Sequence, residues 1–326
     1  MVKIKKASGR VIKQAAKIIR EGGVVAFPTE TVYGLGASAF NPEAVARVFE
    51  IKKRPWFDPL IVHLSQVQDL KLLCRKIPSR VWPLIEKFWP GPLTLVLKKS
   101  QLVPEIVTAG LDTVAVRMPA NQIALNLITE AGVPLAAPSA NLFGRLSPTT
   151  ARHVAEQIGK EVDLIIDGGR TRLGVESTVL DCQQELRLLR PGALPVEELE
   201  KVVGEIKIPS PGSRPTSPGQ LPKHYAPSVP LKIVKTEEIV VPRGVKAGLL
   251  AFKSKKGQGP FKKVEVLSSS GDLREAAANL FAALHRLEKA GLDIIYAEPV
   301  PEEGLGMAIM DRLRKAEGLK SRKALY

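Results

Sequence analysis

The sequence predicts a two-domain α/β protein, with a twisted, mixed-sheet domain over residues 1–205, a linker at 206–229 and a smaller α/β domain over 230–326. Three observations carry this prediction. The chain has 326 residues, more than one hydrophobic core usually serves. Short apolar runs of strand length outnumber amphipathic helical stretches and do not alternate regularly with them, which suits a mixed sheet better than a doubly wound one. The Pro/Ser/Gly-rich run from Ile208 to Pro222 suits neither a helix nor a central strand.

The elements follow in order. Apolar residues from Val11 to Ile19 recur at helical spacing, and Gly22-Gly23 ends that helix. Val24–Phe27 reads as a buried strand. Asn41 before Pro42 is a helix start, with Val45, Val48 and Phe49 on the inner face. Leu60–Leu64, Leu93–Leu97, Val114–Met118, Leu135–Ala137, Leu164–Ile166, Thr178–Leu180 and Leu186–Leu189 read as strands, with helices at Ile123–Ala131 and Ala151–Ile158. Beyond the linker, strands are expected at Leu231–Val234, Gly248–Phe252, Val264–Leu267 and Ile294–Ala297. Asp272–Ala290 is a long amphipathic helix with Leu273, Ala276, Leu280, Leu284 and Leu287 on one stripe.

Composition removes several function classes. Hydrophobic residues at 44% and charged residues at 25% are ordinary for a globular chain. No apolar run has the length of a membrane span, and the basic N-terminus leads into no signal-peptide core. Cys74 and Cys182 are too few for a disulfide framework or a thiolate metal cluster. Lysines and arginines number 48 against 33 acidic residues, a formal net charge of +15 that favours an anionic partner, nucleotide or nucleic acid. No G-x-x-x-x-G-K-[ST] loop occurs. Gly34-Leu-Gly-Ala-Ser-Ala39 imitates a dinucleotide fingerprint but lacks its acidic partner. His63, His153, His224 and His285 have no metal-ligand spacing.

What remains is polar chemistry inside stretches that should be apolar. Pro28-Thr-Glu-Thr-Val-Tyr-Gly34 puts hydroxyls and a carboxylate directly after a buried strand, where α/β sheets place ligand groups, although Thr and Gly also suit a plain turn. Lys52-Lys53-Arg54-Pro55 follows a helix end, where cations complement the dipole, and the proline holds Arg54 extended, suited to aiming a guanidinium at phosphate. Pro138-Ser139-Ala140-Asn141 closes an apolar run and suits either a turn cap or a ligand contact.

Together these segments resemble the YrdC/Sua5 family of L-threonylcarbamoyladenylate synthases. The matching residues are the pair Lys52-x-Arg54 and Ser139-x-Asn141, with Phe27–Leu35, Pro59–His63, Trp89–Thr94, Val116–Pro119, Gly174–Thr178 and Leu189–Gly192 around them. The likeness runs from about residue 10 to 205 and continues into Lys223-His-Tyr-Ala-Pro227 and Gly304-Leu-Gly-Met-Ala-Ile-Met310. It therefore implies the longer Sua5 form, a YrdC-like catalytic domain followed by a Rossmann-like Sua5 domain.

The resemblance implies a cytoplasmic nucleotidyltransferase that joins L-threonine, bicarbonate and ATP into threonylcarbamoyl-AMP and pyrophosphate. That product serves the t6A modification of tRNA adenosine 37. Hand-off to a Kae1/TsaD-like transferase is implied, with direct tRNA binding secondary and no membrane partner. Lys52 and Arg54 would be catalytic, neutralising charge on the triphosphate. Thr31, His63, Arg117, Ala137 and Ser177 would contact threonine or its carbamate, with Arg117 as the fork for the carboxylate. Lys52, Arg54, Asp58, Thr113, Ser139, Asn141, Ser147, Arg190 and Tyr225 would line the ATP side. Mg2+ would arrive on ATP rather than in a protein cage, and no tightly bound organic cofactor is expected. Were the arginines merely structural, Arg117 and Arg190 would be ion-pair residues.

Two positions depart from the family pattern. Asp58 stands where Asn is usual and should weaken ATP binding unless it faces Lys or magnesium. Pro222 stands where a linker Tyr often reaches the nucleotide, which leaves Tyr225 as the substitute. The linker is expected to act as a lid over the labile adenylate. Two rival functions are a basic RNA-binding module and a carbamoyl-phosphate-dependent synthase like the YrdC-like part of hydrogenase maturation factors. The low aromatic content of 5% speaks against the first, and the absence of any Cys-x-x-Cys against the second.

Overall fold

The computed structural model describes residues 3–208, 225–235, 238–254 and 259–318. Its first part runs β1 (Ile4–Lys6), α1 (Gly9–Arg20), β2 (Val25–Phe27), β3 (Gly34–Ser38), α2 (Pro42–Lys52), β4 (Ile61–His63), α3 (Leu70–Leu73), β5 (Cys74–Lys76), α4 (Trp82–Phe88), β6 (Leu93–Lys99), α5 (Glu105–Thr108), β7 (Thr113–Arg117), α6 (Gln122–Ala131), β8 (Leu135–Ala136), α7 (Ala151–Ile158), β9 (Leu164–Asp167), β10 (Thr178–Asp181), β11 (Arg187–Arg190) and α8 (Val196–Val203). The second part runs β12 (Leu231–Ile233), β13 (Ala247–Ala251), β14 (Lys263–Val266), α9 (Leu273–Glu288), β15 (Ile294–Ala297) and α10 (Leu305–Glu317).

Local chemistry sets the helix starts. Ser8, Asn41, Asn121, Thr150 and Asp272 each accept a backbone N–H of the first turn of α1, α2, α6, α7 and α9. Pro42 then fills the first position of α2, where its missing N–H costs nothing.

The first sheet is mixed, ordered β1-β9-β2-β3-β8-β4-β7-β6-β10-β11, with β5 beside β6. Parallel pairs such as β4 with β7 lie next to antiparallel ones such as β6 with β7. Side-chain alternation decides the two faces. Val62, Leu95, Leu97, Val114, Val116 and Leu180 enter the main core with Val48 and Phe49 of α2. Ile61, Val96, Ala115 and Val179 form a separate cluster on the opposite face. On that face α1 and α6 cover the end near β2, β9 and β8. Farther along, at β4 and β7, it carries the cavity described below.

The second domain is a four-stranded, all-parallel sheet ordered β12-β15-β13-β14. Its core is shared with the first domain, because Val32, Leu146, Val175, Ala193 and Tyr225 pack in one cluster with Leu280, Phe281, Leu284 and Ile309. Gly174, at φ +73°, shows how close the approach is: a Cβ there would lie 2.5 Å from the Ala278 backbone.

Several elements differ from the sequence-based expectation. Gly34–Ser38 is a buried strand rather than a turn, paired with β2 and β8, and Gly36 is needed there because a Cβ would lie 2.6 Å from the Phe27 ring. Glycine thus serves packing where β-propensity points elsewhere. The same strand removes the dinucleotide-loop reading of this segment. Strand β1 lacked a signal because all three of its residues are exposed at the sheet edge. Helices α4, α8 and α10 were also unread. Pro222 and most of the expected lid lie outside the described residues.

Candidate active site

A cavity open to solvent lies on the β4–β7 face. Its wall includes Thr31, Arg54, His63, Arg117, Ala137, Ser139, Ser177, Arg190 and Tyr225, residues scattered across the sequence from 31 to 225. Strand alternation explains the first members: Ile61 and His63 on β4, and Ala115 and Arg117 on β7, project to the same side in register.

Arg117 is held by three partners. Its Nη2 donates to Glu30 Oε1 at 2.6 Å, Nη1 to Thr31 Oγ1 at 3.1 Å, and Nε to the Gly91 carbonyl at 3.2 Å. Thr31 Oγ1 lies 2.8 Å from Thr29 Oγ1, which donates on to the Val32 carbonyl. His63, beside this group, is driven down to a pKa of about 3, first by burial and then by the Arg117 charge. Its imidazole is therefore neutral at pH 7 and suited to hydrogen bonding rather than to holding a proton.

Around Arg54 the arrangement is different. Its Nε donates to the Asp58 carbonyl at 3.0 Å and its Nη2 to the Pro59 carbonyl at 2.8 Å, while Nη2 also lies 2.8 Å from Asp58 Oδ1. Asp58 is thus buried against Arg54, the same guanidinium a phosphate would use, so the pair offsets its charge without removing its competition for that cation. Burial raises its pKa, with Arg54 and then Lys52 opposing the rise. Neither Asp58 oxygen receives a well-aligned hydrogen bond among the described residues.

The structure corrects the expectation for Lys52. Its ammonium is buried and donates to the carbonyls of Ser139 and Asn141, so it braces the Ser139-x-Asn141 loop instead of lining the cavity. Burial, reinforced by Arg54, lowers its pKa well below the usual lysine range. Asn141 is likewise buried away from the cavity, donating to the carbonyls of Leu142 and Arg145. The paired signature is a brace that presents Ser139.

A third group closes the wall. Arg190 donates from Nε and Nη2 to the Ser177 carbonyl at 3.1 and 2.9 Å, and from Nη2 to Ser177 Oγ. Ser177 Oγ is also 2.7 Å from Thr94 Oγ1. The Arg190 charge acts on Arg54, while Arg117 stands apart beside neutral His63, so the wall has two cationic groupings. Tyr225 holds a left-handed backbone at φ +60° and packs on Phe281.

Two further expected residues stand outside the cavity wall. Ser147 gives its hydroxyl to Glu176 rather than to the cavity. Thr113 does not line the cavity either; it lies at the far end of β7, on the face that carries Ala115 and Arg117. The sequence reading gave Glu176 no role and noted Glu30 only as the carboxylate of its motif. Both stand inside the quoted motifs, and their signal was a carboxylate in an otherwise buried run. No group of three or more His, Cys, Asp or Glu among the described residues could hold a metal.

A family model described as "Telomere recombination", Sua5_yciO_yrdC, matches residues 17–192. The chain belongs to the Sua5/YciO/YrdC family. A second model, "Threonylcarbamoyl-AMP synthase, C-terminal domain", matches residues 194–318 and marks the two-domain Sua5 form. The threonylcarbamoyl-AMP synthase of Pyrococcus abyssi is 50% identical over 95% of this chain and 94% of its own. That of Bacillus subtilis is 44% identical over 94% of this chain and 93% of its own. The crystal structure of P. abyssi Sua5 complexed with L-threonine superposes with a TM-score of 0.89, at 46% identity and 97% coverage of both chains. Among the described residues, no helix is long and apolar enough to cross a membrane.

Proposed function

We propose that this chain condenses L-threonine, bicarbonate and ATP to threonylcarbamoyl-AMP and pyrophosphate. The observation that carries the reading is one cavity with two separately anchored cationic groupings, Arg117 at Glu30 and Thr31, and Arg54 with Arg190 near Ser139 and Tyr225. The threonine-bound structure of the P. abyssi relative and the names of the curated relatives support it.

In this reading Arg117 takes the threonine carboxylate in its planar fork, while Thr31, Ser177 and neutral His63 offer hydrogen bonds to the remaining polar groups. The threonine amine joins bicarbonate with loss of water, and an oxygen of the resulting carbamate attacks the α-phosphorus as pyrophosphate departs. No covalent nucleophile of the protein is required, so catalysis rests on positioning and on preorganised charge. Arg54 and Arg190 neutralise charge on the triphosphate, and Ser139 is presented to it by the Lys52 brace. Mg2+ belongs to the substrate as MgATP.

Hand-off of the adenylate to a Kae1/TsaD-like tRNA transferase, for the t6A modification, is part of the same proposal. A cytoplasmic location goes with it, because ATP, threonine and tRNA meet there. The test is pyrophosphate release from ATP with and without L-threonine and bicarbonate, with L-serine as control. Release that requires threonine and bicarbonate together is expected. Release indifferent to threonine would sink the reading.

A further inference from the structure

The second domain brings a buried cation to the back of the cavity wall. Arg312, on α10, has a side chain with 0% exposure. Its Nε donates to Glu176 Oε2 at 2.8 Å, and Nη1 donates to the Pro191 carbonyl at 2.9 Å, next in the chain to Arg190. Its guanidinium carbon lies 4.9 Å from the centre of the Tyr225 ring. One residue of the second domain thus touches Glu176 and Tyr225 of the cavity wall and the backbone beside Arg190.

Glu176 is the reason this matters. Its carboxylate lines the cavity, with Oε1 accepting the Ser147 hydroxyl and Oε2 facing Arg312. A bare carboxylate there would repel a triphosphate brought up to Arg54 and Arg190. Burial pushes the Glu176 pKa upward, but Arg312 and then Arg190 outweigh it, leaving the group ionised and below the usual range. Asp311 accepts from the same Arg312 Nη1 and is itself paired with Lys315, so the helix supplies its own counter-ions. Nη2 of Arg312 has no hydrogen-bond partner among the described residues.

We propose that Arg312 is a positioning residue of the ATP site, neutralising and orienting Glu176 and seating Tyr225, so that the site is incomplete without the second domain. The inference rests on the ATP placement proposed above. Its consequence is specific: losing Arg312 penalises ATP far more than threonine, and the penalty acts through the Glu176 charge.

The test measures equilibrium binding of MgATP and of L-threonine by titration calorimetry on full-length Arg312→Met, Glu176→Gln and the double variant. Direct binding keeps the outcome separate from turnover, so a wild type that binds ATP without releasing pyrophosphate refutes the activity and leaves Arg312 testable. Arg312→Met should weaken MgATP binding at least tenfold while threonine binding stays within twofold. Adding Glu176→Gln should bring the MgATP Kd back to within about threefold of wild type. Should Arg312→Met fold poorly, Arg312→Gln takes its place, with the same tenfold loss expected and unchanged MgATP affinity again overturning the assignment. Unchanged MgATP affinity in Arg312→Met overturns the assignment, and so does a loss that Glu176→Gln fails to rescue.

Discussion

Glu30 and Arg117 form a buried ion pair across 87 residues of sequence, with Oε1 2.6 Å from Nη2 and both side chains at most 4% exposed. The pair ties the loop after β2 to the end of β7. It combines both roles the sequence left open for Arg117, an ion-pair residue and a wall of the cavity.

The fork geometry of Arg117 is therefore open to a direct test. Arg117→Lys retains the charge but cannot hold Glu30, Thr31 and a ligand carboxylate together. The KM for threonine should rise more than tenfold, with the Kd for ATP within twofold of wild type. Glu30→Ala leaves the guanidinium buried without its counter-charge and should cost ~3–5 kcal/mol in denaturant unfolding.

Arg54 and Asp58 predict an effect of opposite sign. The ion pair at 2.8 Å places a carboxylate in competition with any phosphate for the same guanidinium. Asp58→Asn preserves shape and removes the competitor, so the KM for ATP should fall severalfold. Arg54→Ala should abolish turnover, and by stranding Asp58 it should also lower stability. Circular dichroism and a melting curve on Arg54→Ala and on Arg54→Ala/Asp58→Asn separate the two effects. A lower melting temperature only in the single variant is the expected result.

Stability should fall as pH drops below neutral. His153 and His285 stack across the domain interface with ring centroids 3.9 Å apart, and His285 meets the Ser147 carbonyl. Burial, then the His285 neighbour, takes His153 down to a pKa of about 3; burial also lowers His285, and burial takes His63 to about 3. Glu156 and Glu288 favour protonation of this pair, whereas Lys289 opposes it. Unfolded histidines titrate near 6.5, so between about 6.5 and 3 the unfolded chain binds more protons and stability falls with falling pH. Urea midpoints at pH 7 and pH 5 measure the slope, and His153→Gln should flatten it.

Both cysteines should be silent toward thiol reagents in the folded protein. Burial pushes Cys74 up to about 12 and Cys182 higher still, so neither forms an appreciable thiolate at pH 8. Labelling with an aromatic disulfide should be undetectable in native buffer and should reach two thiols per chain in guanidinium. Rapid native labelling would contradict the burial of both residues.

Residue patterns read well where a rule is local. Asn41 and Pro42 start α2 because a cap and a proline act within one turn, and β15 at Ile294–Ala297 stands out because a buried parallel strand is apolar throughout. Strand β3 was illegible for a long-range reason: Gly36 makes room for Phe27 of the neighbouring strand. Most of the expected contacts do meet at one cavity, since strand alternation and loop motifs aim them there. Lys52, Asn141 and Ser147 are placed differently because their hydrogen-bond partners come from residues 87, 4 and 29 positions away.

The sequence by itself determined the two-domain α/β class, the caps, the linker composition and the set of arginines, serines and threonines available to an anionic substrate. Each of these follows from periodicity, backbone preference or motif identity. Tertiary structure alone decided which cations face the cavity and which are consumed as braces. It also decided that Asp58 faces Arg54, and that Arg312 reaches Glu176 across 136 residues. The physical reason is that a buried charge is defined by its neighbours, and those neighbours are assembled only when the sheet and both domains pack.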